Sequence, residues 1–282
     1  MRDFQVLFDH AERSKLLEPA MALYGNLEFP APPAGRPWIY ANFVQTIDGI
    51  ISLLGNQSSG ADICGLPEDR WLMDLLRAHA DAVMLGMGTL RAEQRLGRPR
   101  PRGPVFRIMD TGMQQLRSKL RRGRERNILV TSQADFQMSD FAVFDGEHVD
   151  VTVLTTPAGA RKLHAQQPRH PAVDILAVGP AQDICDPGID LREAVALLTK
   201  RYQIGYLLFE GGPSLYSSML TAGLIDEKFV TVSPIEVGRL SPQGPRPSPL
   251  PNVGFTRDEA PSWQWLSCRK VADYQFHRFR RK

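Results

Sequence analysis

Cysteine is scarce in this chain, and the three that it has lie far apart, at Cys64, Cys185 and Cys268. None belongs to a Cys-x-x-Cys pair, and no two histidines have the spacing of metal ligands, so the sequence indicates neither a zinc site nor a disulfide framework. Long apolar runs are also missing, since no window approaches the length of a membrane span. Residues 1–18 are charged and mixed, without the apolar core of a signal peptide, which predicts a cytoplasmic protein.

The net charge is small as well, because 34 lysines and arginines are offset by 31 acidic residues. Arginine is nevertheless concentrated in residues 91–126 and again in residues 278–282, without the repeated aromatic residues of a single-strand nucleic-acid platform. These clusters favour a solvated face or a pocket for one phosphorylated small molecule over a nucleic-acid surface. A chain of 282 residues that is 43% hydrophobic can also bury one large core.

The most informative stretch runs from residue 204 to residue 220, where an apolar run, a tight turn and a helix follow one another. Residues 206–209 have the length of a buried strand, Gly211 and Gly212 form the turn, and Pro213 suits the first position of a helix. Glycines at such a junction let the backbone approach a ligand closely, and the helix start presents unpaired N–H groups to it. The pattern fits a phosphate site, and it also fits an ordinary turn.

Two further strands end in polar residues that suit a ligand. Asp48 and Gly49 follow the strand predicted over residues 38–45, although an Asp-Gly pair also forms simple turns. The strand at residues 82–85 leads into a glycine-rich segment that offers a hydroxyl, a cation and a carboxylate to a nucleotide. These residues are Gly86, Gly88, Thr89, Arg91 and Glu93. Because ligands of open α/β sheets gather at the carboxyl ends of the strands, both segments are candidates for a site.

Strand and helix patterns alternate along most of the remaining chain. Strands are predicted over residues 127–130, 149–154, 173–178 and 227–237, and helices over a segment beginning at Pro67 and over residues 105–120, 157–166 and 191–201. Repeated strand–helix units imply right-handed crossovers, and therefore an α/β fold with a mostly parallel central sheet and helices on both faces. A terminal hairpin of residues 263–271 and 274–279 adds an antiparallel C-terminal edge.

The two ends of the chain give further expectations. Residues 4–24 have helical spacing and a proline-rich stretch follows, so we expect a helical appendage with a linker at 1–37 and one domain at 38–282. The terminal hairpin is strongly apolar, and an apolar sheet edge invites a symmetric partner, which predicts a homodimer. Its apolar residues are Trp263, Trp265, Leu266, Val271, Tyr274 and Phe276.

Six short motifs follow one another in a fixed order. They are Thr46-Ile-Asp-Gly49, Ser59-Gly60 ahead of Pro67-Glu-Asp-Arg70, Leu76-Arg-Ala78 before Ala80-Asp-Ala-Val83, Gly86-Met-Gly-Thr-Leu-Arg-Ala-Glu93, Phe209-Glu-Gly-Gly-Pro-Ser-Leu215 and Ala222-Gly-Leu-Ile-Asp-Glu227. Together they resemble the reductase domain of riboflavin biosynthesis, over residues 38–238. That family has a dihydrofolate-reductase-like fold and reduces a phosphoribosylamino-pyrimidine with NADPH. The resemblance therefore implies an NADPH-dependent pyrimidine reductase with no metal.

The resemblance also implies roles for individual residues. Catalytic positions are Asp48, which would line the substrate's ribose, and Glu93 and Glu210, either of which would assist proton transfer. Cofactor contacts would come from Gly86, Gly88 and Thr89 at the nicotinamide, from Gly211, Gly212, Pro213, Ser214 and Leu215 at the pyrophosphate, from Thr131 and Ser132 at the adenosine phosphate, and from Gly179. Substrate contacts would come from Asn42 and Cys64, and from Arg91, Arg95 and Arg98 unless these arginines belong to a solvated loop.

The chain also departs from the family pattern. Members often have Lys where Asn42 stands, Ser or Thr at Cys64, Asp at Glu93 and Arg at Gln133. These differences leave the identity of the substrate open. The deaminase half of bifunctional members, with His-x-Glu followed by Pro-Cys-x-x-Cys, is absent. Two alternatives remain: a folate or pteridine reductase on the same scaffold, and a non-catalytic descendant that binds nucleotides or nucleic acid.

Overall fold

The computed structural model describes residues 2–11, 19–25, 27–54, 60–95, 102–166, 170–180, 188–242, 244–251 and 253–282. The strands are β1 Gln5–Asp9, β2 Trp38–Thr46, β3 Ala82–Gly86, β4 Arg126–Val130, β5 Asp150–Thr155, β6 Val173–Ala177, β7 Tyr206–Gly211, β8 Glu227–Ser233, β9 Leu240–Ser241, β10 Gly244–Pro245, β11 Trp263–Val271 and β12 Tyr274–Arg281. The helices are α1 Pro67–His79, α2 Met87–Arg95, α3 Thr111–Lys119, α4 Pro157–His164, α5 Leu191–Tyr202 and α6 Pro213–Thr221.

Ten of these strands form one sheet in the order β1-β11-β12-β8-β2-β7-β3-β4-β5-β6. The block from β8 to β6 is parallel, whereas β12, β11 and β1 add three antiparallel strands on one side. The predicted mostly parallel sheet with helices on both faces and an antiparallel C-terminal edge is confirmed. The carboxyl ends of the parallel strands, and the turns that follow them, therefore lie along one edge.

Local signals in the sequence set where the helices begin. Pro67 occupies the first turn of α1, where backbone N–H groups have no partner within the helix, so proline costs the helix no hydrogen bond there. The side chains of Asp110, Thr156 and Asp190 accept backbone N–H bonds at the starts of α3, α4 and α5. Such caps typically contribute about 1 kcal/mol each. These short-range features explain why most helices start where the sequence predicts.

Two apolar clusters fill the space between the sheet and the helices. One cluster joins Tyr40, Leu208 and other residues of the sheet to α1, α2, α3 and α4, and the second joins the opposite sheet face to α5 and α6. On β2 the two faces alternate, since Ile39 and Ala41 belong to the second cluster while Tyr40 belongs to the first. Within the described ranges, no helix has the length and apolar character needed to cross a membrane.

The N-terminal segment differs from its prediction. Gln5–Asp9 is not helical: it forms β1, which pairs antiparallel with β11, while residues 12–18 of the predicted helix lie outside the described part. The buried ring of Phe4 lies 4.9 Å from that of Phe276 and 5.7 Å from that of Trp71. The helical prediction is therefore wrong for Gln5–Asp9, and the neighbouring Phe4 packs into the main core. Strand β1, and not the terminal hairpin, forms the sheet edge.

Four smaller expectations also need correction. Residues 87–95 are the helix α2, because Met87 and Leu90 are buried in the first cluster. The helix predicted over residues 105–120 is the shorter α3, and it contains Gly112 as expected. Strand β8 stops at Ser233 because proline follows and cannot donate to the sheet. The loop at 241–251 is not wholly irregular, since β9 and β10 pair at its start.

Candidate active site

Two glycine-containing turns meet at the carboxyl edge, where β3 and β7 are neighbours. A Cβ atom added to Gly211 would lie 3.1 Å from Oγ1 of Thr89, and one added to Gly212 would lie 3.6 Å from the backbone nitrogen of Gly86. Leu215 faces the same place, 3.9 Å from a Cβ on Gly86. The structure therefore brings together five residues that the sequence placed in separate motifs. The two turns thus pack closely, and we call their junction at the carboxyl edge the glycine crevice.

The turn before α6 has the backbone of an anion site. Gly211 and Gly212 have φ values of +150° and +99°, which residues with a side chain rarely adopt. Among the described residues no side chain caps the helix start, where Pro213 is the first residue and Ser214 is exposed. The first N–H groups of α6 are therefore directed toward the crevice side, with the positive end of the helix dipole. A phosphate group of a dinucleotide fits this chemistry.

The remaining predicted cofactor residues follow along the same edge. The Thr131 hydroxyl accepts a 3.2 Å bond from the backbone N–H of Ala134, and the Ser132 carbonyl accepts a 2.8 Å bond from the Thr156 hydroxyl. Gly179 follows β6, and its carbonyl accepts a 2.8 Å bond from the N–H of Asp190. The edge from β7 to β6 therefore forms one continuous row of turns, long enough for an extended cofactor.

Three neighbouring strands change from apolar to polar on the sheet face that α1 covers. The apolar residues are Tyr40, Leu208 and Phe229, and the polar residues two positions later are Asn42, Glu210 and Thr231. Because side chains alternate along a strand, each polar residue lies on the same face as its apolar predecessor. We call these three residues the polar row. The row lies near the carboxyl edge, beside the glycine crevice, where apolar packing ends and polar ligand groups can be bound.

Helix α1 supplies a cation to one end of the polar row. Arg77 donates two hydrogen bonds to Glu210, from Nε at 2.7 Å and from Nη2 at 2.6 Å, and both side chains are almost fully buried. Burial lowers the pKa of Arg77, but the paired Glu210 carboxylate outweighs this effect and the net shift is upward. Arg77 also donates to the carbonyl of Arg107 at 2.9 Å. Glu210 is thus held rigidly, with both of its carboxyl oxygens accepting hydrogen bonds.

Helix α1 also supplies a carboxyl group to the other end of the row. Asp69 accepts a 2.7 Å bond from the Thr231 hydroxyl, and no lysine or arginine of the described residues forms a salt bridge with it. Burial raises the pKa of Asp69 to about 6, against the opposing effects of Thr231 and Arg70. Cys64 lies in a small buried cluster with Val44, and burial with the nearby Asp69 raises the pKa of its thiol to about 12. Cys64 is therefore a neutral, unreactive group.

Asp48 connects two loops at the carboxyl edge. Its carboxylate accepts a 2.5 Å bond from the Thr46 hydroxyl and a 2.7 Å bond from the N–H of Gly238. These bonds, chiefly the one from Thr46, lower the pKa of Asp48. The side chain is otherwise exposed, so it is an ionised acceptor open to a ligand.

Two of the three predicted phosphate arginines, Arg91 and Arg95, lie on α2. Arg91 donates a 2.7 Å bond to the carbonyl of Asp135, Arg95 is exposed at the end of α2, and Arg98 lies outside the described residues. Glu93 is half-buried on α2. None of the described contacts directs Arg91 or Arg95 toward the glycine crevice.

Sequence reasoning missed Arg77, Asp69 and Thr231 as parts of this site. The available signal was on α1, where the charged residues Glu68, Asp74 and Arg77 are buried among apolar residues and Asp69 directly follows Glu68. A charge at a buried position needs a partner, so such positions mark side chains that meet polar groups elsewhere in the chain.

Comparisons with known proteins agree with this architecture. Two curated relatives are named 2,5-diamino-6-ribosylamino-4(3H)-pyrimidinone 5′-phosphate reductase. The one from Archaeoglobus fulgidus is 27% identical over 208 residues, which cover 72% of this chain and 83% of the relative. The one from Methanothermobacter thermautotrophicus is 28% identical over 206 residues, 72% of this chain and 80% of the relative.

Solved structures share the fold. A pyrimidine reductase-like protein from Corynebacterium diphtheriae has a TM-score of 0.64 at 20% identity, covering 94% of this chain and 99% of that one. RibD from Acinetobacter baumannii has a TM-score of 0.63 at 17% identity, and the match covers 88% of this chain but 59% of the RibD chain. The sequence model of the RibD C-terminal domain matches residues 37–272. The chain therefore belongs to the RibD C-terminal domain family.

Proposed function

We propose that this protein is an NADPH-dependent reductase that converts a phosphoribosylamino-pyrimidine to its ribitylamino product in riboflavin biosynthesis. The observation that carries the proposal is the meeting of Gly86 and Thr89 with Gly211 and Gly212 beside the polar row. This arrangement supports a dinucleotide site next to a polar surface for a second ligand. The names of the two archaeal relatives favour the 2,5-diamino-pyrimidinone form of the substrate over its deaminated form.

In this proposal the crevice holds the cofactor. The Gly86, Gly88 and Thr89 segment borders the nicotinamide, and the turn from Gly211 to Leu215 binds the pyrophosphate through its backbone N–H groups. The Thr131 and Ser132 hydroxyls, with Gly179, lie near the adenosine half. No Asp or Glu directly follows β4 to bind a free ribose hydroxyl pair, so we expect NADPH to bind better than NADH.

The polar row and its neighbours hold the substrate. The Asp48 carboxylate accepts hydrogen bonds from ribose hydroxyls, and Asn42 lies between Thr231 and Glu210 on the covered face, beside the pyrimidine. Cys64 lines the site as a neutral group, and Arg91, Arg95 and Arg98 bind the 5′-phosphate. Glu93 and Glu210 orient polar groups of the substrate. The protein acts as a homodimer in the cytoplasm.

For this reaction the protein has to align the cofactor with the substrate and to supply one proton. The cofactor provides the hydride that adds to C1′ of the ring-opened imine. The Arg77–Glu210 pair keeps a charged acceptor fixed at the crevice, so no side chain has to reorganise there when the substrate is reduced. Two ligands held side by side at one end of the crevice would meet with much of the entropic barrier already removed.

The decisive experiment is a spectrophotometric assay of NADPH oxidation by the pure protein. The substrates are the 2,5-diamino-pyrimidinone ribosylamine 5′-phosphate, its deaminated counterpart and dihydrofolate. We expect turnover with a phosphoribosylamino-pyrimidine and none with dihydrofolate, and a lower KM for NADPH than for NADH. Turnover of dihydrofolate alone would identify a folate-type reductase. Absence of turnover with all three would overturn the proposed function.

A further inference from the structure

One carboxyl group of α1 contacts the polar row through a hydroxyl. Asp69, in the first turn of α1, is joined to the polar row through the Thr231 hydroxyl. The other two carboxylates of α1 each lie near an arginine: Glu68 is 4.0 Å from Nε of Arg2, and Asp74 is 3.6 Å from Nη1 of Arg77. Asp69 has a hydroxyl instead of a cation.

The groups around Asp69 favour its neutral form. From the loop before α1 comes the uncharged Cys64, and from β8 comes Thr231, which lies opposite the apolar Phe276 of β12. On α1 itself the nearest charges are Glu68 and Arg70, and the Arg70 guanidinium lies 3.4 Å from Asp74. Burial therefore dominates, and it raises the pKa of Asp69 from 3.8 to about 6. A carboxyl group of this kind can carry a proton at nearly neutral pH.

We propose that Asp69 is the acid that protonates the substrate nitrogen attached to C1′ during reduction, an assignment that rests on the proposed function. From α1, Asp69 meets the polar row at Thr231, on the sheet face that also carries Asn42, and we assign its second oxygen to the space that the pyrimidine would occupy. Thr231 donates to one carboxyl oxygen and so fixes the direction of the other. Asp69 is thus a catalytic residue that touches the substrate.

The reduction consumes one proton, and a carboxyl group of this kind can supply it. Ring opening moves one proton from the glycosylamine nitrogen to the ribose ring oxygen and consumes none. Reduction of the resulting C=N bond adds a hydride to carbon, with oxidation of NADPH to NADP⁺, and a proton to nitrogen, with loss of that proton from the Asp69 carboxyl. The carboxylate then recovers a proton from water, which closes the cycle.

Glu210 is poorly suited to this task. Both of its oxygens accept hydrogen bonds from one guanidinium, and a carboxylate held in this way has no proton to give. Glu210 therefore serves as a fixed acceptor, while Asp69, whose neighbours are a hydroxyl and a thiol, is the group that changes protonation.

The test compares three variants with the wild type by single-turnover reduction over pH 5 to 9. Asp69→Asn removes the proton and keeps the acceptor for Thr231, so the rate should fall roughly 100-fold or more, the usual range for a general acid. The wild-type rate should fall as pH rises through about 6, and this dependence should vanish in Asp69→Asn. Thr231→Val removes a bond that lowers the pKa of Asp69, so the fall in rate should move to higher pH. Glu68→Gln is the matched control from the same helical turn and should keep the wild-type profile.

Two readouts separate folding and binding from proton transfer. Carbon-13 NMR of aspartate carboxyl groups should show one titration near pH 6 that is lost in Asp69→Asn, and NADPH should bind the folded variant with an unchanged Kd. An Asp69→Asn rate within about threefold of the wild type, or an Asp69 titration near pH 4, would overturn the role of Asp69 and leave the proposed reductase intact. A wild-type protein that oxidises no NADPH with either pyrimidine would overturn both.

Discussion

Replacing Gly212 with alanine tests whether the turn before α6 binds the cofactor or only redirects the chain. The backbone of Gly212 has φ +99° and ψ +102°, a region that disfavours any side chain. The added Cβ would meet Thr89 Oγ1 at 3.5 Å and Gly86 N at 3.6 Å, which are ordinary contacts and no clash. Strain of the backbone, and not crowding, therefore sets the loss of stability, which we expect to be about 1–3 kcal/mol.

The effect on the cofactor has a separate cause. The methyl group would stand in the crevice between the two glycine turns, where it would block close approach of the pyrophosphate to the N–H groups of α6. A hydrogen bond to a charged group contributes about 1.5–3 kcal/mol. Loss of one such bond should therefore weaken NADPH binding by roughly ten- to a hundredfold.

Gly25→Ala is a control with nearly the same local change. Gly25 has φ +92°, and an added Cβ would have its nearest contact at 3.6 Å, with Arg269 of β11. Both variants should lose similar stability in urea titrations, but only Gly212→Ala should lose affinity when NADPH is titrated against tryptophan fluorescence. An equal Kd for folded Gly212→Ala and wild type would refute the pyrophosphate assignment and leave an ordinary turn.

Three further predictions concern the charges and the edge of the sheet. Arg77→Met leaves Glu210 as an unpaired buried charge and should lower the free energy of unfolding by about 3–5 kcal/mol. The double variant Arg77→Met/Glu210→Leu should recover most of this lost stability. A loss below about 1 kcal/mol for Arg77→Met in chemical denaturation would contradict the buried pair. Between pH 3.8 and about pH 6, Asp69 holds its proton more fully in the folded protein than in the unfolded chain. The free energy of unfolding of the wild type should therefore decrease as the pH rises through this range. Asp69→Asn should consequently match the wild type near pH 4 and exceed it at pH 8 by about 1–3 kcal/mol in urea titrations, and equal stability at pH 8 would count against the raised pKa. The proposed homodimer should have twice the chain mass by light scattering. Val6→Lys, on the exposed edge strand β1, should lower the measured mass to that of a single chain. A wild-type protein with the mass of a monomer would contradict the dimer.

The parts of the fold that the sequence predicts correctly are those set by neighbouring residues. The strand, turn and helix around Gly211 and Gly212 are correct because Pro213 and the two glycines act locally. Helix α2 was missed because Gly86 and Gly88 resemble a turn, and burial of Met87 and Leu90 outweighs that local preference.

Contacts between distant residues could not be predicted in the same way. The Arg77–Glu210 pair joins residues 133 positions apart, and the Asp69–Thr231 bond joins residues 162 positions apart. The sequence indicates that charges on an apolar helix face need partners, but only the sheet register decides which partner each one meets. The sequence motifs therefore locate the crevice, while the polar row beside it needs the three-dimensional arrangement.

Strand β1 has a consequence for how the chain folds during synthesis. Gln5 lies opposite Lys270, so β1 leaves the ribosome long before its partner strand β11. Loop closure over this distance is slow compared with local helix formation, and domains start to fold before synthesis ends. The N-terminal strand must therefore wait, with Val6 and Leu7 exposed, until its docking edge exists. Until then the nascent chain presents an unpaired apolar strand, and chaperone binding there would protect it from pairing with other chains.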